Sequence, residues 1–169
     1  MIRIAIIGCG RIAKRHAELL GTGQIAGARL AAVCDIDAKR VDDFATRFGV
    51  PGFRSIEALL AQDGIDAVSV LTPSGMHADH AIAVARSGRH VIVEKPMALT
   101  LPDADRMIAA ADAAGVRLFV VKQNRFNVPV VKAREALLAG RLGQLVLGTV
   151  RVRWCRTQAY YDQDSWRGT

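Results

Sequence analysis

Cysteine is scarce in this sequence, which has only three, an odd number. Cys9, Cys34 and Cys155 show neither metal-ligand nor C-x-x-C spacing, so neither a disulfide framework nor a zinc site is indicated. The chain also lacks an apolar stretch near the ~20 residues of a membrane span, and its apolar start has the pattern of a strand instead of a signal peptide. We therefore expect a soluble protein of the reducing cytoplasm, with no metal ion and no membrane partner.

Aromatic residues are also few, at 5% of the 169 residues, whereas hydrophobic residues make up 51% and charged residues 23%. This balance excludes a disordered, collagen-like or coiled-coil chain, and the length fits one globular domain plus a remainder. The formal net charge of +7 is uneven, because residues 1–115 have 13 basic and 13 acidic side chains and residues 116–169 have 10 basic and 3 acidic. The positive surplus therefore lies in the last third of the chain.

Short aliphatic runs alternate with amphipathic helix patterns through the first 121 residues. Such runs are typical of buried parallel strands, because helices cover both faces of the sheet. The strict alternation predicts an α/β fold with a doubly wound parallel sheet. The predicted strands are 3–7, 29–34, 67–71, 90–93 and 118–121, with a shorter one near Phe53. The predicted helices are 11–20, 38–48, 56–61, 78–86 and 103–113.

The pattern changes after residue 121. We expect a helix at 128–139 and a long strand at 144–154, and no second strand follows to pair with the latter. Because a lone strand is not stable by itself, we expect one domain at 1–122 and the incomplete beginning of a second domain at 123–169. The alternative is that the tail packs onto the first domain as an appendage.

A glycine-rich turn joins the first predicted strand to the first predicted helix. Gly8 makes the turn tight, Gly10 lets the backbone approach a pyrophosphate, and the small Ala13 lets helix and strand pack closely. Backbone N–H groups at the helix start would face the phosphates. Glycine also ends strands for steric reasons alone, but the strand before and the helix after favour a dinucleotide. The predicted cofactor contacts in this turn are Gly8, Cys9, Gly10, Arg11 and Ile12.

Asp35 ends the second predicted strand. A carboxylate there can accept hydrogen bonds from the adenosine ribose hydroxyls, and it repels a 2'-phosphate. Asp35 therefore predicts NAD rather than NADP as the cofactor. The alternative is that Asp35 caps the helix that begins near Asp37, although Asp37 could cap it instead.

Polar residues also follow the strand at 67–71. Because ligands of open α/β sheets bind outside the carboxyl ends of strands, Thr72, Pro73, Ser74 and His77 are candidate cofactor contacts. For His77 an alternative stays open, since a histidine at a helix start often makes a structural hydrogen bond instead.

Glu94, Lys95 and Pro96 follow the strand at 90–93. Two charged residues at the end of an aliphatic strand cost desolvation free energy unless they interact with a polar group. Lys95 could hydrogen-bond a substrate hydroxyl and stabilise an alkoxide as it develops. The alternative is an edge salt bridge, which contributes little.

Together, the glycine turn, Asp35, the segment from Thr72 to His77 and Glu94-Lys95-Pro96 resemble the Gfo/Idh/MocA oxidoreductase family. The resemblance runs from residue 2 to about residue 121. It implies a nucleotide-binding Rossmann domain at 1–122, followed by the start of an α+β domain whose large open sheet usually mediates homo-oligomers. The predicted strand at 144–154 would be the first strand of that sheet.

Three later segments, VKQNRF at 121–126, VLGTVRVRWCR at 146–156 and YYDQDSWRG at 160–168, resemble the UDP-N-acetylglucosaminuronate 3-dehydrogenase branch of this family. Its enzymes oxidise carbon 3 of a UDP-linked sugar with tightly held NAD, in bacterial surface-polysaccharide (lipopolysaccharide O-antigen) synthesis. The resemblance implies that Lys95 is catalytic and contacts the reacting hydroxyl. It also implies cofactor contacts by Glu94, Lys95, Gln123, Trp166 and Arg167, and substrate contacts by Lys95, Asn124 and Arg125.

The chain also departs from the family's pattern in one respect. The family's catalytic histidine lies downstream of the segment that matches 160–168. We therefore expect this chain to bind NAD but to turn over substrate very slowly or not at all.

Other functions stay open at this point. They are another sugar or inositol dehydrogenase of the family, a non-catalytic NAD-binding module, and nucleic-acid binding through the basic tail. Few aromatic residues interleave with Arg151 and Arg153. The tail would serve a small anion equally well, such as a substrate with a diphosphate and a carboxylate. We therefore expect an anionic nucleotide sugar rather than a nucleic acid as the partner.

Overall fold

The structure is a computed structural model in which residues 1–163 are described, and the chain divides into two compact units, Met1–Lys122 and Gln123–Thr169. The first unit is a six-stranded parallel sheet flanked by helices. Its strands are β1 (Ile2–Ile7), β2 (Ala28–Cys34), β3 (Gly52–Phe53), β4 (Ala67–Val70), β5 (His90–Val93) and β6 (Leu118–Val120). Its helices are α1 (Arg11–Gly21), α2 (Ala38–Phe48), α3 (Ile56–Leu60), α4 (His77–Arg86) and α5 (Leu101–Ala113). The second unit has α6 (Val128–Leu138) and α7 (Gln158–Tyr161).

The strands are ordered β3-β2-β1-β4-β5-β6, and every neighbouring pair is parallel. Beside β1, the chain therefore first adds β2 and β3 on one side, and it then crosses over and adds β4, β5 and β6 on the other. This confirms the doubly wound parallel sheet that the alternating pattern predicts. The order reverses between β1 and β4, and ligands of such sheets bind in the crevice at this point.

The register brings the carboxyl ends of the central strands together. Ile7, at the end of β1, lies beside Cys34 of β2 and Val70 of β4. Val70 in turn lies beside Val93 of β5. The segments that follow these four strands therefore emerge at one edge of the sheet, next to the switch in strand order.

Helices cover both faces of the sheet, which explains why its strands are aliphatic throughout. Along β1, Ile4 and Ile6 belong to a core cluster with residues of α1 and α2, whereas Ala5 and Ile7 belong to a second cluster with residues of α4 and α5. Successive side chains point to opposite faces of a strand, so one aliphatic run supplies both cores. Burying a side chain such as Ile6, which is fully buried, contributes roughly 1.5–3 kcal/mol.

The helices begin and end at residues whose chemistry suits those places. Asp37 caps α2, because its side chain accepts hydrogen bonds from the N–H groups of Lys39 and Arg40. Gly49 ends the same helix with φ +64°, a left-handed conformation that favours glycine. The helix predicted at 103–113 begins earlier, at Leu101, because the Thr100 side chain caps it.

The strand predicted at 144–154 is wrong, because residues 145–156 have no regular secondary structure. A strand exists only where a neighbouring strand satisfies its N–H and C=O groups, and none of residues 1–163 pairs with this segment. In the same unit the Arg156 guanidinium lies over the rings of Trp154 and Tyr160, at 4.3 and 4.7 Å from the ring centroids. Within the described part of the chain, no helix is long and apolar enough to cross a membrane.

Candidate functional site

The candidate site lies at the edge of the sheet where β1, β2, β4 and β5 end, and its first element is the turn after β1. Gly8 has φ +94°, and its N–H donates to the Cys34 carbonyl at 2.8 Å. A Cβ at Gly8 would lie 2.8 Å from both the carbonyl carbon and oxygen of Leu71, which follows β4. Gly8 therefore meets two separate requirements for glycine, a left-handed backbone and close contact between the ends of β1 and β4.

Gly10 meets a different requirement. It is the N-cap residue of α1 with an ordinary φ of −79°, and it provides no side-chain cap. Apart from Gly10 and its two chain neighbours, none of residues 1–163 has an atom within 4 Å of a Cβ placed on it. The first N–H groups of a helix have no partner within the helix, and they favour an anion. An open space beside an uncapped helix N-terminus, with no acidic residue in its first turn, fits a diphosphate.

Asp35, after β2, is tied to both neighbouring turns. Its Oδ2 accepts a hydrogen bond from the Cys9 N–H at 2.7 Å, and its Oδ1 accepts one from the Asp37 N–H at 2.9 Å. Asp37 itself caps α2, as the sequence allowed. Since each carboxylate oxygen has two lone pairs, Asp35 still has capacity to accept from a ribose hydroxyl. The predicted ribose contact stays a prediction.

The segment after β4 is held by two histidines of α4. The Thr72 hydroxyl lies 3.0 Å from Nδ1 of His80. Burial lowers the pKa of His80, although the charge of Asp79 acts to raise it. Pro73 is exposed and Ser74 half-buried, at the start of a short 3-10 turn. These three residues border the crevice, and their cofactor contacts stay predictions.

His77 is buried, with 1% of its surface exposed. Its Nε2 lies 2.8 Å from the Thr72 carbonyl oxygen, and its Nδ1 lies 2.7 Å from the Pro96 carbonyl oxygen. This geometry favours the alternative in which a helix-start histidine makes structural hydrogen bonds. A direct contact of His77 with a cofactor stays a prediction, but both ring nitrogens are already occupied.

Glu94, directly after β5, is held by His16 of α1 and by the backbone N–H of Lys95. Only 8% of its surface is exposed. Its Oε1 lies 3.3 Å from Nε2 of His16 in α1, and its Oε2 accepts from the Lys95 N–H at 3.0 Å. His16 Nδ1 in turn lies 3.5 Å from the hydroxyl of Ser69 in β4. Glu94 is therefore part of a buried polar network, and not of the edge salt bridge with Lys95 that the sequence left open.

Sequence reasoning missed His16 as a residue of this site. The signal that could have found it is Glu94, because a buried carboxylate needs a partner. Lys95, by contrast, is exposed, and its side chain makes no hydrogen bond or ion pair with any of residues 1–163. The ammonium of Lys95 is therefore free to meet a ligand at the carboxyl end of β5.

The network of Glu94 makes a prediction about pH. Burial alone would raise the pKa of Glu94, but hydrogen bonds from His16 and from the Lys95 N–H outweigh burial and lower it. A carboxyl whose pKa is lower in the folded state stabilises the fold above its unfolded pKa, and this stability is lost as pH falls through the folded pKa. At about pH 7 we expect Glu94→Gln to lower the free energy of unfolding by roughly 1–2 kcal/mol. Urea unfolding at several pH values measures this.

At an acidic pH below the lowered pKa of Glu94, the two proteins should approach equal stability, because the wild-type carboxyl is then protonated as well. The exposed Glu57→Gln is the matched control, and it should change little at either pH. A loss of the same size at both pH values would contradict the role given to the carboxylate charge.

The remaining predicted site residues belong to the second unit. Gln123, Asn124 and Arg125 form an exposed 3-10 turn at its start, and their contacts with cofactor and substrate stay predictions. Trp166 and Arg167 lie outside the described residues. Within residues 1–163 no group of three or more His, Cys, Asp or Glu side chains could hold a metal ion.

A family model described as an oxidoreductase family with an NAD-binding Rossmann fold matches residues 2–122. The match covers nearly the whole first unit. It includes the glycine turn, Asp35 and the segments after β4 and β5.

Relatives and solved structures extend the similarity into the second unit. The chain is 35% identical over 144 residues to a myo-inositol 2-dehydrogenase of Thermotoga maritima, which covers 85% of this chain and 42% of that protein. It is also similar to the WlbA dehydrogenase of Bordetella pertussis, solved in complex with NADH and UDP-GlcNAcA, with a TM-score of 0.92 and 44% identity over 99% of this chain. For WlbA of Chromobacterium violaceum, solved with the same two ligands, the TM-score is 0.93 and the identity 42%. The chain spans 51% and 48% of these two solved chains, about half of each.

Proposed function

Because the chain belongs to the Gfo/Idh/MocA oxidoreductase family, which has an NAD-binding Rossmann fold, we propose that it is the cofactor-binding part of an NAD-dependent dehydrogenase. The observation that carries the proposal is the open space at Gly10 beside the uncapped start of α1. The N–H groups of Arg11 and Ile12 would hold the diphosphate there. Asp35 would hold the adenosine ribose at the end of β2.

The strand order then gives the direction of the cofactor along the sheet edge. The adenosine half lies toward β2, so the nicotinamide half extends the other way from α1, toward the segments after β4 and β5. Thr72, Pro73, Ser74, Glu94 and Lys95 follow those two strands. The nicotinamide ring would thus lie near the free ammonium of Lys95.

NAD, when bound, supplies a nicotinamide ring that accepts a hydride from the carbon being oxidised. Lys95 donates a hydrogen bond to the hydroxyl oxygen on that carbon and stabilises the negative charge that develops on it. Glu94 fixes the backbone of Lys95 through the hydrogen bond to its N–H. Oxidation to a ketone also needs a group that accepts the hydroxyl proton. A lysine ammonium ordinarily keeps its own proton at neutral pH and is a poor candidate for that task.

For the substrate we propose a UDP-linked N-acetylglucosaminuronate oxidised at carbon 3, in bacterial surface-polysaccharide synthesis. Support comes from the two WlbA dehydrogenase structures with NADH and UDP-GlcNAcA, which match 99% of this chain. The excess of 10 basic over 3 acidic side chains in residues 116–169 suits a substrate with a diphosphate and a carboxylate. We also propose that the protein is cytoplasmic and that the whole protein is a homo-oligomer.

A second candidate is the oxidation of an inositol or another sugar. The 35% identity with the myo-inositol 2-dehydrogenase of Thermotoga maritima favours it. Comparing the binding of UDP-GlcNAcA and of myo-inositol to the chain saturated with NADH separates the two candidates.

Binding of NAD to the 169-residue chain tests the proposal most directly. A ligand at about 100 times its Kd stabilises a protein by about 2.7 kcal/mol, so a saturating concentration of NAD should raise the midpoint of thermal unfolding clearly. We expect this chain to turn over substrate very slowly or not at all, because a lysine ammonium is a poor acceptor for the hydroxyl proton. An absent thermal shift would count against the proposed function, and rapid turnover would count against the need for another residue.

Asp35→Ser tests the choice of NAD over NADP. The variant should lower the affinity for NAD more than the affinity for NADP, because it removes a hydrogen-bond acceptor for the ribose and also a charge that repels a 2'-phosphate. It should also cost roughly 1–3 kcal/mol of stability, since the N–H groups of Cys9 and Asp37 lose their acceptor. Calorimetric titration with both cofactors, well below the unfolding temperature, separates the two effects.

The matched control for this experiment is Asp37→Ser. It removes the same charge two residues away and keeps an N-cap side chain for α2. We expect its ratio of NAD to NADP affinity to equal that of the wild type. An equal loss of both cofactors in Asp35→Ser would contradict the ribose contact.

A further inference from the structure

The ring of His77 lies between two segments of the candidate site. Its nitrogens are 2.8 Å from the carbonyl oxygen of Thr72 and 2.7 Å from that of Pro96. A carbonyl oxygen only accepts hydrogen bonds, so both contacts are hydrogen bonds when each ring nitrogen has a proton. His77 is also buried, so water does not compete for either acceptor. One side chain thereby bridges the segment after β4 and the segment after β5.

This bridge lies just beyond the end of the β-ladder. The last backbone hydrogen bond between the two strands is donated by the Glu94 N–H to the Val70 carbonyl. Past that point each segment leaves its strand, and it is His77 that links Thr72 to Pro96. Lys95 directly precedes Pro96, so the bridge fixes the backbone on both sides of the place where the nicotinamide half of NAD is proposed to lie.

We propose that His77 is a positioning residue that sets the separation of these two segments, and so the fit of the nicotinamide half and its approach to Lys95. The inference rests on the proposed function. His77 acts through Thr72 and Pro96, and not by contact with the cofactor. The adenosine half is served by Gly10 and Asp35, which His77 does not touch.

The test compares NAD with ADP, which lacks the nicotinamide riboside. For His77→Gln, whose N–H donors both lie on one nitrogen and not on opposite sides of a ring, we expect the Kd for NAD to rise about tenfold. The Kd for ADP should stay within about twofold of the wild-type value, because its binding groups lie at the start of α1 and directly after β2. The matched control is Ile82→Ala, which removes buried volume from the same helix. It should lower stability and leave both dissociation constants unchanged.

Calorimetric titration at a temperature where all three proteins are folded measures these constants. Unchanged binding of NAD by His77→Gln, or an equal loss of NAD and ADP, would overturn the inference. If the wild-type chain binds neither ligand, the proposed function fails together with the positioning role that rests on it. Binding of ADP and NAD by the wild type, with no selective effect of His77→Gln, would support the proposed function and contradict only the positioning role of His77.

A second measurement keeps the inference testable if His77→Gln does not fold. In the wild type labelled with nitrogen-15 histidine, a ring N–H of His77 should exchange slowly with water, because the ring is buried and both of its nitrogens lie against backbone carbonyl oxygens. Its signals are identified by comparison with His16→Gln, His80→Gln and His90→Gln, each of which removes one other ring. A His77 ring whose N–H exchanges as rapidly with water as that of an exposed histidine would overturn the bridge.

Discussion

Gly8→Ala should destabilise the first unit by roughly 3 kcal/mol or more, which is the largest stability effect we expect from a single methyl group in this chain. Two costs add at this position. Alanine disfavours a φ of +94°, and its Cβ would lie 2.8 Å from the carbonyl carbon and oxygen of Leu71. Both are backbone atoms of the residue directly after β4, so they cannot rotate away as a side chain could. Urea unfolding followed by circular dichroism measures the loss.

Gly88→Ala is the control that separates the two costs. Gly88 also has a positive φ, +79°, but nothing lies within 4 Å of a Cβ placed there among the described residues. In Gly88→Ala the free energy of unfolding should fall only by the cost of the left-handed backbone, on the order of 1 kcal/mol. Equal losses at the two glycines would show that β1 and β4 do not meet as closely as the structure has them.

Gly10→Ser should have the opposite profile, with a large loss of NAD affinity and little or no loss of stability. Serine is a favoured N-cap residue, and Gly10 has the extended backbone of an N-cap with room for a side chain. In the proposed complex the same room is taken by the diphosphate. A hydroxymethyl group there also competes for the N–H groups of the first helical turn. We expect the Kd for NAD to rise by about 100-fold, equal to about 2.7 kcal/mol.

Thermal unfolding without ligand and calorimetric titration with NAD together test this profile. Gly148→Ser, at an equally open position in the second unit, should change neither quantity. If Gly10→Ser bound NAD as tightly as the wild type, the diphosphate would have to lie away from the start of α1. Loss of stability without loss of affinity would reverse the roles given to the two glycines.

Most of the first unit follows from local sequence patterns. Aliphatic runs and helix patterns predicted all six strands and five helices within a few residues, because parallel strands covered on both faces leave a strong signal. The ends shifted where a cap decided them, as Thr100 does for α5. The strand predicted at 144–154 is wrong for the complementary reason, since a strand depends on a partner that no local pattern supplies.

The site divides in the same way. Gly8, Gly10 and Asp35 could be predicted because their roles depend on backbone conformation and on distance along the chain from β1. The network of His16, Glu94 and Ser69 could not, because it joins residues up to 78 positions apart. The occupation of both His77 nitrogens depends likewise on how the ends of β4 and β5 meet.

Asp35 has a consequence for attempts to redesign cofactor preference. Its two oxygens already tie the glycine turn to the start of α2 through Cys9 and Asp37. Exchanging it for a neutral or basic residue would therefore loosen the scaffold that grips the coenzyme while altering which coenzyme is accepted. An engineered switch would need a substitute acceptor for those two amides before any group for an extra phosphate is introduced.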